Sequence, residues 1–179
     1  MTGGMKRALV WLPLALFALL LAVAIYGLRR DGDRSVRSAM VGRALPAFAL
    51  PPMVPGKPGL TRADFVQGKP RLINVFASWC VPCAAEAAQL ARLKAAGVAI
   101  DAVAIRDRPD DVAAFLARNG DPFAAIGSDP ESAFQLALGS SGVPETFVID
   151  GRGRVAHQHI GEIREEDVPV ILAALERAK

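Results

Sequence analysis

Two cysteines occur in the 179 residues, Cys80 and Cys83, and both stand in a single C-x-x-C. A pair this close cannot belong to a framework of long-range disulfides. Joined, the two would close a loop of about four residues, for which chain-entropy stabilisation is roughly 2 kcal/mol or less. The pair therefore reads as chemistry rather than as a staple. Two such thiols can exchange with a disulfide, one attacking and the other resolving, or they can supply half of a zinc site. Their surroundings favour exchange. Leu72, Ile73, Val75 and Phe76 form a nearly continuous apolar run, as expected of a strand buried on both faces. A helix is expected from Cys80 to Ala96, closed by Gly97. Trp79-Cys80-Val81-Pro82-Cys83 thus lies where a buried strand ends and a helix begins. Free N–H groups and the positive end of the helix dipole there stabilise a thiolate at Cys80, the expected nucleophile. Cys83, one turn further in, is the expected resolving thiol. Pro82 suits the first helical turn, where its missing N–H is not needed.

Glu86 follows Cys83 by three positions and shares a helix face with Leu90 and Leu93, the face that should meet the sheet. A partly buried carboxylate there has a raised pKa and can take the proton from Cys83, directly or through water. The plainer reading is a solvated acid near a helix N-terminus. Val143-Pro144 precedes an expected strand at Thr146 to Ile149, and by itself such a bond is expected trans. His157 and His159 lie two apart on an expected return strand and so share a face with Val155. With the cysteines they are enough ligands in number for a metal, but no local metal-binding spacing accompanies them, and surface histidines are the default.

These residues need a scaffold, and the remaining pattern supplies one. After a Pro/Gly-rich loop at Pro51 to Gly59, Thr61 with Asp64 marks a short capped turn. Strands are expected at Pro46 to Leu50, Val98 to Ile105 and Phe123 to Ile126, with Arg154 to Ile160 returning after a turn at Asp150 to Gly153. Helices are expected from Asp110 to Asn119 and after Asp129-Pro130. The last helix opens on Glu165, Glu166 and Asp167 and ends near Arg177 and Lys179, in accord with its dipole. Strand and helix alternate, then a hairpin and a helix close the chain: an α/β sandwich.

Ala8 to Leu28 is 21 residues without a charge. At about 1.5 Å of rise each they span roughly 31 Å, the thickness of a bilayer's hydrocarbon core. Ala22-Val23-Ala24 has the form of a cleavage site, but the apolar run continues through Leu28, beyond a typical cleaved core. The expectation is an uncleaved signal anchor at 8–28, with a cleaved signal peptide as the alternative. Residues 1–7 would stay in the cytoplasm, 29–45 form a linker without apolar period, and 46–179 form the exported domain. Lys6, Arg7, Arg29 and Arg30 provide four positive charges in the first thirty residues, which hold no acid; residues 31–179 are left at a formal −1. No basic face for nucleic acid is implied. Arginines on both sides of the span do not orient it. A reversible cysteine pair outside the cytosol needs the larger part exported, which places the N-terminus inside.

Residues 72–86, LINVFASWCVPCAAE, and residues 142–150, GVPETFVID, closely resemble the membrane-anchored thiol-disulfide interchange proteins of cytochrome c maturation, the CcmG/DsbE group. GRALPAFALP and GRGRVAHQHIGEI extend the likeness across most of the chain from Gly42. The resemblance implies a thioredoxin-like three-layer sandwich and a redox disulfide between Cys80 and Cys83. It implies a cis Pro144 facing that pair, with Trp79, Pro82, Val143 and Glu145 as the active-site environment. Glu86 and Glu145 would form an acidic active-site environment, with Asp129 a further candidate. Ser140-Ser141 depart from the pattern, since family members often carry a tyrosine or another bulky residue there. The implied protein is a monomer in the bacterial inner membrane, single pass, its domain in the periplasm. It would take electrons from a membrane thiol donor of the DsbD/CcdA type and reduce apocytochrome c, or a companion maturation protein, before heme attachment. It would use no organic cofactor and no metal. A general periplasmic thioredoxin-like reductase, or a copper-delivery protein of the same fold, would share these residues.

Overall fold

The computed structural model describes residues 3–29 and 40–179, with side chains in the first helix described at 11–23, 25 and 26. Two compact units result, Met1–Arg37 and Ser38–Lys179. The first holds helix α1 (Gly3–Arg29), 27 residues long with Pro13 inside it. Every side chain described on α1 is exposed, Trp11, Phe17, Leu20 and Tyr26 among them. Among the described residues no helix is long and apolar enough to cross a membrane. The side chains described on α1 are fewer than the ~20 apolar residues that a span requires. Of the expected N-terminal segments, residues 1–2 and the linker at 30–39 lie outside the described residues.

The second unit begins before residue 46. Residues 40–45, expected as the end of the linker, are part of the fold: the Gly42 N–H donates to the Val155 carbonyl at 2.7 Å, and the Leu45 N–H to Gly153 at 2.8 Å. Leu45 is only 2% exposed. A short segment that pairs through its main chain and buries one leucine carries no periodicity to read. A two-stranded ribbon follows, β1 (Ala49–Leu50) against β2 (Leu60–Thr61). It leads into a 3-10 turn at Arg62–Phe65, where the Asp64 carboxylate accepts from the Thr61 N–H and hydroxyl, the expected cap.

The main sheet is built from β3 (Arg71–Phe76), β4 (Ile100–Ile105), β5 (Ile126–Asp129), β6 (Glu145–Ile149) and β7 (Val155–Ile160), in the order β5-β4-β3-β6-β7. The first three run parallel, β6 is antiparallel to β3, and β7 to β6. Between them lie α2 (Val81–Ala85), α3 (Ala87–Ala95), α4 (Pro109–Asn119) and α5 (Ala133–Ala137), and α6 (Val168–Arg177) closes the chain. Side chains alternate across a strand, so Leu72, Asn74 and Phe76 share one face of β3 and Arg71, Ile73 and Val75 the other. On the first face Phe76 meets Phe115 of α4 at 5.6 Å and Phe123 at 5.2 Å. On the second, Arg71 lies 5.8 Å over the Phe65 ring, which contacts Phe48, itself 4.1 Å from Phe134 of α5. Three layers result, with the sheet buried between them.

The strand expected at Pro46 to Leu50 shortens to Ala49–Leu50 and that at Val98 to Ile105 starts at Ile100. Three further elements differ from expectation. The helix expected from Cys80 to Ala96 is two, α2 and α3, separated at Glu86 with ψ −8°. The strand expected at Phe123 to Ile126 is displaced to Ile126–Asp129, although main-chain bonds to β4 already form at Ala124, whose N–H donates to the Ile100 carbonyl, and at Ala125, whose carbonyl accepts from the Ala102 N–H. The acidic opening of the last helix is a 3-10 turn, Glu165–Asp167.

Leu45→Ala should lower the unfolding free energy by about 2–5 kcal/mol, the usual cost of a buried leucine truncated to alanine. Urea unfolding of the full chain measures it; a loss below about 0.5 kcal/mol would show that residues 40–45 merely lie on the domain.

Candidate active site

Strand β3 ends at Phe76, and the chain turns through Ala77 to Trp79 so that Cys80 becomes the N-cap residue of α2. Cys80 and Cys83 are bonded, with S–S 2.05 Å and Cα atoms 5.3 Å apart. The Cys83 N–H donates to Cys80 Sγ at 3.2 Å. That donor is aimed at the sulfur of the expected nucleophile, and hydrogen bonding to the charged form lowers a thiol's pKa. Cys80 is 5% exposed and Cys83 2%, so the expected nucleophile is barely the more accessible residue of the two. Trp79 and Val81 flank the pair at 58% and 80% exposure. The indole N–H of Trp79 donates to the Arg106 carbonyl at 3.2 Å. Pro82 occupies the first turn of α2.

Glu86 sits at the break between α2 and α3 and is completely buried, as are Leu90 and Leu93 on its face. One carboxylate oxygen accepts from Asn74 Nδ2 and the other from the Ile163 N–H, both at 2.9 Å. Burial pushes its pKa from 4.5 up to about 7; the bonds from Ile163 and Asn74 oppose the rise, and Glu162 adds to it. Asn74 also donates to Thr146 Oγ1 at 3.0 Å, its direct partner across β3 and β6. The Asn74 Oδ1 atom is buried without a partner among the described residues. A protonated Glu86 would supply the missing donor after a half-turn of the Asn74 amide. Asn74 and Cys83 also line one small cavity of about 10 Å³, otherwise walled by apolar side chains and main chain.

The Val143–Pro144 peptide is cis, the form that the resemblance implies and not the one favoured for an isolated X–Pro bond. Glu145 pairs with Val75, so Pro144 stands beside the end of β3 from which the chain departs toward Cys80. Glu145 is 1% exposed. Its carboxylate accepts from the Ser141 N–H at 2.8 Å, from the Ser141 hydroxyl and from Gln158 Nε2 at 2.9 Å. Ser140 donates its hydroxyl to the Gly142 carbonyl at 3.0 Å. Ser141 therefore binds the proline loop to a buried acid, while Ser140 bonds within the loop.

A Redoxin family model matches residues 40–175. The thiol:disulfide interchange protein HelX of Rhodobacter capsulatus is 36% identical over 90% of this chain and 92% of its own. The thiol:disulfide interchange protein DsbE of Allochromatium vinosum is 36% identical over 96% of both chains. A solved structure of a DsbE thiol:disulfide interchange protein from Chlorobium tepidum superposes with TM-score 0.56 at 31% identity, over 74% of this chain and 95% of that one. The chain belongs to the CcmG/DsbE family. It is a thioredoxin-like thiol-disulfide oxidoreductase.

Within this CcmG/DsbE fold the other candidates separate. Asp129 is 3% exposed, and its carboxylate accepts from the Gln135 N–H at 2.8 Å, which caps α5. His157 and His159 lie on β7; His159 Nε2 is 3.1 Å from the Glu162 carbonyl. Burial lowers the pKa of His157, helped by His159 and Arg177. Among the described residues no cluster of three His, Cys, Asp or Glu side chains can hold a metal. Asn74 and Thr146 are not singled out by any motif. The signal for Asn74 is a lone amide inside an apolar strand, a position where a polar group must have a partner, and Thr146 is that partner.

Because the Glu86 pKa is higher folded than unfolded, its contribution to stability is full below about pH 4.5 and lost as pH rises toward 7. The loss reaches about 3 kcal/mol. Glu86→Gln should remove that slope, seen as the difference between wild-type and variant urea curves at pH 5 and pH 8, which leaves out Asp101 and His157. A difference constant across that range would show that Glu86 is ionised throughout. The same variant should slow resolution by Cys83 by roughly 10- to 100-fold near neutral pH, as loss of a general base does.

Proposed function

We propose that this oxidoreductase is anchored in the bacterial inner membrane by α1 and reduces disulfides in apocytochrome c, or in a companion maturation protein, on the periplasmic side. The observation that carries the reading is the DsbE/HelX likeness over nine-tenths of both chains, which reaches into the apolar helix. An α1 whose described side chains are exposed all round and uncharged fits lipid better than water. Residues 29–45 would act as the tether only as far as the strip at 40–45. The electron donor on this reading is a membrane thiol protein of the DsbD/CcdA type.

Two electrons move in each cycle. The donor reduces the Cys80–Cys83 disulfide to two thiols. Cys80, as the thiolate favoured by the Cys83 N–H, attacks one sulfur of the partner disulfide and expels the other as a thiolate. A mixed disulfide joins Cys80 to the partner. Cys83 then gives its proton to Glu86, poised to hold one near neutral pH, and attacks Cys80 Sγ. The partner leaves with both sulfurs reduced, and the protein returns to the bonded state seen here.

Cys83→Ser membranes should accumulate mixed disulfides through Cys80, while Cys80→Ser membranes form none. On non-reducing gels the trapped partners should be an apocytochrome c, a maturation protein or the membrane donor, and heme attachment should fail. Adducts spread over unrelated exported proteins, with cytochrome c maturation intact, would assign a general reductase instead. Protease added to intact spheroplasts should remove the domain and leave a membrane fragment; full protection until lysis would refute the topology.

A further inference from the structure

Next to the redox pair lies a cleft of about 390 Å³ that the exchange reaction does not use. Trp79, the connection Arg106–Asp107–Arg108, and Asp111 and Arg118 of α4 line it. Asp111, Ala114 and Arg118 recur at helical spacing, so α4 presents one face to it. Three guanidinium groups therefore meet two carboxylates. One carboxylate is already engaged: Asp107 accepts from the Ser78 N–H and hydroxyl and from the Arg108 N–H. Among the described residues the side chains of Arg106, Arg108 and Arg118 make no ion pair or hydrogen bond. Residues 40–179 carry a formal −1, so an excess of free cations here is not a sample of the average surface.

The backbone adds a second, independent observation. Arg106 has φ +46°, a left-handed conformation that costs a non-glycine residue energy and persists only where the surroundings hold it. Two bonds hold it: its N–H donates to the Asp129 carbonyl at 3.3 Å, and its own carbonyl accepts from the Trp79 indole. The same residue thus fixes the tryptophan beside Cys80 and lines the cleft with its side chain.

We infer that this cleft binds a carboxylate of the polypeptide whose disulfide Cys80 attacks, so that the preferred substrate is a segment with Asp or Glu a few residues from its cysteine. The inference rests on the oxidoreductase reading and names its substrate class. Trp79 is adjacent in sequence to Cys80 and an extended chain advances about 3.3–3.6 Å per residue, so a carboxylate a few residues from the attacked sulfur is the one offered to a cleft that Trp79 lines. Arginine's planar fork suits a carboxylate, and Trp79 with Val81 offers apolar surface to the residues between. Charge complementarity of this kind acts mainly on the rate of encounter and on the choice of partner.

The test uses the full chain in detergent and three peptides of one sequence, each with a single cysteine as a mixed disulfide and two Asp, two Gln or two Lys three residues away. At low ionic strength the reduced protein should exchange with the Asp peptide about tenfold faster than with the Lys peptide, the Gln peptide lying between. In Arg108→Gln/Arg118→Gln the Asp and Lys rates should agree within about twofold, and 0.5 M salt should do the same to wild type. Equal wild-type rates, or a preference kept in the double variant, would overturn the inference. Failure to exchange even with the Gln peptide would count against the redox reading itself. The cleft is still decided in that event by binding of the Asp peptide with Ser in place of Cys, followed by Trp79 emission in a Trp11→Phe background. That affinity should fall at least about tenfold in the double variant. Displacement of the peptide by millimolar inorganic phosphate would show a general anion site and refute peptide selection.

Discussion

A carboxyl group shut away from water is the constraint around which this domain is arranged. Glu86 ties three distant parts of the chain: the central strand through Asn74, the segment before the last helix through the Ile163 N–H, and the redox helix on which it stands. The helix breaks where that carboxylate is anchored, and the break separates a short turn bearing the cysteines from a longer segment that packs through Leu90 and Leu93. Such a buried acid costs the fold stability whenever it is charged. Its place between helix and sheet, one helical turn past Cys83, supports the proposal that it stores the proton a resolving thiol loses.

The rest of the site follows from the central position of β3. Parallel pairing with β4 and antiparallel pairing with β6 bring two chain reversals to the same end of the sheet, the one leading to Cys80 and the one containing Pro144. Residue 74 pairs with 146 and residue 75 with 145, so a single register places Asn74 against Thr146 and sets the proline loop beside the cysteine loop. Glu145 then holds that loop through Ser141 and Gln158. The far end of the same strand is held differently. Arg71 grips the buried Asp101 with two bonds of 2.7 Å, linking β3 to β4 away from the chemistry.

What could be read in advance was what local periodicity and motif spacing encode. The apolar run of β3, a helix after the cysteines, the inward phase of Glu86 and the final hairpin are all written in the local sequence. The break at Glu86 is not: the residue there holds the Ile163 N–H, 77 positions away, and neither the break nor that bond leaves a mark in the helical spacing. The strip at 40–45 was equally silent: its partners are main-chain groups of Gly153 and Val155. Asn74 was visible but was absorbed into an apolar strand. The cis bond before Pro144 came from resemblance alone, since nothing in the dipeptide overrides the ordinary trans preference.

The low exposure of Cys80 sets a timetable for its partners. Only about a twentieth of that residue meets solvent, while Trp79 and Val81 on either side stand proud. A disulfide recessed in a finished protein cannot be lowered into so narrow an opening. A loose stretch of chain can, with its cysteine at the apex of a bend. Access is thereby granted by the conformation of the partner: a loose chain qualifies, and the same chain, once its cysteines are folded away, does not. An enzyme of this shape needs no separate signal to leave completed products alone.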